Sequence, residues 1–140
     1  MRKAQSSFEY IMLVGVVMLL IVPGAILFYN YSKRSNEDLM RATIYRIGSD
    51  LADSVQKVYY VGESSWETSS FVVPEGVRKI YIQGSYELVI QYDSWGSISE
   101  AVFFSDINMT SPDDIVTNHS GLNLIKVTSQ GGYVSLNETQ

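Results

Sequence analysis

The chain has 140 residues, room for one compact domain plus one appended segment. It contains no cysteine, so disulfide frameworks, thiolate metal sites and cysteine nucleophiles are excluded. Its net charge of −5, from 10 basic and 15 acidic residues without a basic stripe, argues against nucleic acid as a partner.

The amino end carries most of the information. Arg2 and Lys3 form a short basic leader, and Ala4, Gln5, Ser6 and Ser7 are small or polar. Phe8, Glu9 and Tyr10 then open an apolar run of 19 residues from Ile11 to Tyr29. A run of that length crosses a bilayer, which needs about 20 residues at ~1.5 Å rise each. A secretory signal peptide has a shorter core with a small-residue cleavage site after it. Here the run ends in Phe28, Tyr29, Asn30 and Tyr31, and only Ala25 after Pro23 and Gly24 offers such a site. A chain this short cannot easily surround a helix that is apolar all round, which leaves a plain single-span anchor as the simplest reading. Glu9 does not fit a plain anchor, since an ionised carboxylate at a helix centre in lipid costs ~2.5–3.5 kcal/mol, less near the interface.

The stretch Lys3-Ala4-Gln5-Ser6-Ser7-Phe8-Glu9-Tyr10 resembles the archaeal class III signal peptide of type IV pilin-like proteins. That pattern is a Lys-Gly/Ala junction followed by Gln-x-Ser-x-Glu-Tyr. The resemblance covers roughly residues 1–30, with matches at Lys3, Ala4, Gln5, Ser7, Glu9 and Tyr10. Ala4 replaces the commoner Gly, and Phe8 stands where an aliphatic residue is usual. The resemblance implies that a prepilin peptidase cuts between Ala4 and Gln5, which makes Glu9 the fifth residue of the mature chain. It further implies a homopolymeric filament held by the apolar helix, built by an assembly ATPase and a membrane platform and serving adhesion. No cofactor and no enzymatic activity are implied.

Chemistry gives Glu9 a role in such a filament. The new amine of Gln5 would be cationic, with an ordinary pKa near ~8. Paired across subunits in a low-dielectric bundle, the amine and the Glu9 carboxylate relieve each other's desolvation and set axial register. Cyclisation of Gln5 to pyroglutamate would remove the amine charge. The alternative is that Glu9 lies at headgroup level and complements the start of the helix.

Further along, Pro23 lacks an amide proton and is expected to kink or locally unwind the helix. Gly15 and Gly24 allow close helix approach. Arg2 and Lys3 on one flank and Lys33 and Arg34 on the other nearly balance the charge rule for orientation. Four of six asparagines (Asn30, Asn108, Asn118 and Asn137) begin N-x-S/T sequons. With 25 Ser and Thr in 140 residues, chance gives about one, so the excess favours an exported, glycosylated chain.

Ser35 or Asn36 is placed to cap a new helical turn. Beyond it Met40, Ile44, Ile47, Leu51, Val55 and Val58 recur at helical spacing and predict one apolar stripe, to about Tyr60. Residues 62–69 read as loop, 70–73 as strand and 74–76 as turn. Residues 77–83 and 86–92 form a hairpin about a two-residue Gly84-Ser85 turn. A turn at 93–96, a strand over 100–105, a polar loop over 106–121 and a last hairpin, 122–129 with 133–136, complete the chain.

His119 is the one histidine and carries no triad signature. Asp106, Asn108, Asp113 and Asp114 do not match EF-hand spacing. Trp66 and Trp95 are candidate carbohydrate contacts. The expected fold class is α+β: a long N-terminal hydrophobic helix packed by its C-terminal half on an antiparallel sheet of about five to seven strands. The organisation read from the sequence is a leader (1–4), a transmembrane and assembly helix (5–32), its amphipathic extension (33–61) and an exposed β-domain (62–140). The expected function is a filament subunit; the rivals are a monomeric membrane-anchored binding protein and a minor pilin that starts or tips a filament.

Overall fold

A computed structural model describes residues 2–117 and 120–139. Side chains of residues 2–6 and of Thr117 lie outside the described set, and so do Asn118 and His119 entirely. A single helix, α1 (Arg2–Val61), is followed by eight strands: β1 (Trp66–Val73), β2 (Val77–Gln83), β3 (Glu87–Ser94), β4 (Ser97–Phe104), β5 (Met109–Thr110), β6 (Val116–Thr117), β7 (Gly121–Ser129) and β8 (Val134–Thr139). The chain divides into two compact units, residues 1–39 and 40–140, and α1 contributes to both.

The helix passes through Pro23 without the local unwinding that was one of the two effects expected there, and through Ser35 and Asn36 it continues as the extension read over 33–61, with no separate capped turn. Pro23 lacks the amide proton that would bond the Leu19 carbonyl, yet the helix continues on both sides. Serine and asparagine inside a helix cost only a few tenths of a kcal/mol each, up to about 0.7.

In the second unit the periodic stripe lies where its spacing puts it. Ile44, Ile47, Leu51, Val55 and Val58 are buried, and Met40 packs against the same core half-buried. That core also takes Val73, Ile80, Leu88, Ile90, Ile125, Val127, Val134 and Leu136 from the strands. Ser54 and Ser69 hydroxyls bond at 3.0 Å between α1 and β1, and Arg41 donates to Ser94 Oγ at 2.9 Å.

The single antiparallel sheet expected from the sequence is replaced by two four-stranded sheets, ordered β1-β7-β8-β5 and β4-β3-β2-β6. The 74–76 turn carries the chain from one sheet to the other, so β1 pairs with the distant β7, from Trp66 opposite Thr128 to Val73 opposite Gly121. Pairing with β7 also makes strand of residues 66–69, which read locally as loop. Residues 106–121 are not a plain polar loop: Ile107, Met109, Ile115 and Val116 are buried, β5 runs parallel to β8, and β6 pairs with β2. Gln83 faces Glu87, so the β2–β3 connection is three residues long, with positive φ at Gly84 and Ser85. The β3–β4 turn is the two-residue one: Trp95 and Gly96 both take positive φ, as a type I′ turn requires. β4 accordingly starts at Ser97 rather than 100, and β8 continues to Thr139 rather than 136.

One helix position shows how tightly α1 meets the second sheet. A Cβ on Gly48 would lie 2.1 Å from Phe103 Cε2. The absent side chain lets the Phe103 ring lie on the helix backbone, edge-on to Tyr45 at 5.7 Å. Helical glycine normally costs ~0.8–1 kcal/mol against alanine, so close packing opposes propensity here. Gly48→Ala is expected to destabilise the full chain in detergent by about 1–3 kcal/mol in a denaturant titration. In a Phe103→Ala background the same change is expected to reverse sign and stabilise by ~0.8–1 kcal/mol. Additive effects in the two backgrounds would rule out the contact as the cause.

Candidate functional site: an exposed apolar helix

The first unit has no core of its own to hide its side chains. Phe8, Tyr10 and every large apolar residue from Ile11 to Tyr31 are exposed, with Leu19 at 73% and Phe28 at 73%. The segment is long and apolar enough to cross a membrane. No polar stripe runs along it between Tyr10 and Tyr29, so no single face is reserved for water.

The residues singled out in this segment are strung along the axis rather than gathered. At 1.5 Å per residue Glu9 and Pro23 are roughly 21 Å apart. They therefore do not converge on one site within the chain. Gly15 and Gly24 both leave open space where a Cβ would stand. At 3.6 residues per turn, nine residues place them on opposite faces. The Leu19 carbonyl, without its helical donor because of Pro23, lies one turn before the second notch. Lys3, Ala4 and Gln5 belong to the helical backbone, and their side chains lie outside the described residues; Ser7 is exposed with Glu9.

The sequons fall in unlike places. Asn30 is exposed on α1, Asn108 is exposed just before β5, and Asn137 is exposed on β8 directly opposite Lys126 of β7. Asn118 lies outside the described residues. Trp66 and Trp95, the candidate carbohydrate contacts, are both exposed, Trp66 as the first residue of β1 and Trp95 in the β3–β4 turn of the other sheet.

The second unit offers little enzyme-like geometry. An open groove of about 710 Å³ crosses β2 and β3, lined by Glu75, Arg78, Lys79, Gln91 and Asp93. Arg78 Nε donates to Asp93 Oδ1 at 3.0 Å, made possible by a register shift in β2 between Val77 and Lys79. Beside it Glu100 accepts from Gln91 Nε2 at 3.0 Å. Burial first, then the Glu100 carboxylate and Asp114, push the Tyr81 phenol above its ordinary value. Among the described residues no three His, Asp or Glu side chains converge as metal ligands. Sequence reasoning missed the outward faces of the two sheets, whose residues become neighbours only through the β1–β7 and β3–β4 registers. Alternation in β4 and β7 carried the signal, but not which of the two faces is outward.

Set beside family models, curated proteins and solved structures, the chain matches none of them.

Proposed function

We propose that this chain is the precursor of a structural subunit of an archaeal type IV pilus-like surface filament. A prepilin peptidase removes residues 1–4, and the apolar helix holds copies together in the filament core, with the β-domain displayed outside. The observation that carries this reading is the exposed apolar stretch of α1, from Phe8 to Tyr31, continuous with the helical stretch whose stripe is buried in the β-domain core. Burying that surface at ~25 cal/mol per Å² yields tens of kcal/mol gross per helix when neighbours replace water. In lipid that gain is nearly absent, because acyl tails are as apolar as leucine. Moving the subunit from bilayer to fibre therefore calls for the external ATPase and platform that the class III resemblance implies. The resulting fibre serves attachment to surfaces or other cells.

A plain membrane anchor would use the same exposed surface. Glu9 and the opposed Gly15 and Gly24 notches favour a bundle over a lone span. The second reading, a monomeric membrane-anchored binding protein, draws its support from the polar groove beside the Arg78–Asp93 pair.

Glu9→Ala separates the two. Removing one partner of a buried ion pair costs ~3–5 kcal/mol, so fibres are expected to vanish while the chain still fractionates with membranes. Normal fibres from the variant would remove the assigned role of the carboxylate. Mass spectrometry of exported wild-type chain is expected to find an amino terminus at Gln5, either free or as pyroglutamate. An intact leader, or loss of the whole apolar run, would contradict the processing step.

A further inference from the structure

The two sheets turn unlike apolar strips outward, and the strips match each other. On the β4 edge of one sheet Ile98, Glu100, Val102 and Phe104 alternate outward, with Phe104 74% exposed. On the other sheet β7 presents Leu122, Leu124 and Lys126, with Leu122 72% exposed and Val72 of β1 directly beside it. Each strip carries one charge, of opposite sign. The Glu100 carboxylate is held by Gln91 and has no cation within ion-pair distance among the described residues. The Lys126 ammonium lies over the Trp66 ring at 5.0 Å and likewise has no carboxylate partner among them.

The spacing of the two strips is the same, read in opposite directions. From Glu100 the apolar positions follow two and four residues on, at Val102 and Phe104. From Lys126 they precede by two and four, at Leu124 and Leu122. Each step of two residues is about 7 Å along a strand. Laid antiparallel, the strips put Glu100 against Lys126, Val102 against Leu124 and Phe104 against Leu122.

We propose that β4 of one copy packs face to face on β7 of the next in this antiparallel register. The partner is a second copy of this chain, and the argument is the complementarity of charge and spacing. Because the two patches differ, the contact is heterologous: one copy keeps its β7 strip free and the other its β4 strip, so every assembly has one free patch of each kind and association continues instead of closing as a dimer. Face-packed sheets keep their strands within about 30° of each other, which allows the three pairs to form together. The inference rests on the filament reading for its setting and gives the displayed domains their own lateral contact. It also requires Asn137, the neighbour of Lys126 across β7 and β8, to be free of glycan in the assembled form, since a sugar there would cover the strip.

The natural chain has no cysteine, so thiols can be placed at will. In the full chain carrying both Val102→Cys and Leu124→Cys, a thiol cross-linker spanning about 10 Å, the separation of packed sheets, is expected to give a ladder of covalent oligomers. Either single variant alone is expected to stay monomeric, and a mixture of the two singles to give dimers only. Glu100→Lys or Lys126→Glu in the double-cysteine chain is expected to cut the ladder about tenfold, with recovery when both reversals are combined. Dimers from a single variant, no ladder from the double, or glycan on Asn137 in the assembled form would each overturn the proposal. Fibres without the ladder would sink this contact and leave the filament reading standing. A ladder without fibres in electron micrographs would do the reverse.

Discussion

One helix with two kinds of surface constrains the whole molecule. From Ile44 to Val58 the apolar residues of α1 keep to one stripe, and the strands of the second unit bury it. From Phe8 to Tyr31 they go all the way round and are exposed. The first arrangement is satisfied within a single copy. The second needs lipid or other copies, so the isolated chain in water is an incomplete object. The proposed filament starts from that imbalance, with Glu9 as the feature that lipid alone does not call for.

The β-domain is arranged around the stripe. Gly48 removes the side chain that would collide with Phe103, and the Ser54–Ser69 bond joins the helix to the opposite sheet. The helix is thereby held by both sheets, one through β4 and the other through β1. Propensity is given up at Gly48 in exchange for close approach. The outward faces are left with unlike strips, and that asymmetry permits open-ended association.

The sequence revealed what depends on local period and concealed what depends on distant pairing. The stripe from Ile44 to Val58 was legible because helix period needs no knowledge of the partner. The β2–β3 hairpin was legible from its Gly84 turn, although its loop is one residue longer than the dipeptide suggests. Pairing of β1 with β7 was not legible, because Trp66 and Thr128 are far apart in the chain and nothing local links them. For the same reason the short strands β5 and β6 were hidden in a segment whose polar residues mask four buried apolar ones. Pro23 and the Ser35-Asn36 patch each weaken a helix locally, but the helix runs through both, as the extension read over 33–61 requires. Of the candidate site, Glu9, Pro23 and Gly24 were visible from pattern and composition, whereas the lateral strips needed the registers of two sheets.

The central claim is that the apolar turns from Phe8 to Tyr31 are covered by the same turns of other copies. Electron cryomicroscopy of material sheared from the surface of producing cells tests it most directly. Fibres are expected whose axis is a bundle of helices, with density for Glu9 beside the amino terminus of an adjacent subunit and β-domains on the outside. Native material found only as single chains seated in membrane, or fibres whose axis lacks these helices, would contradict it.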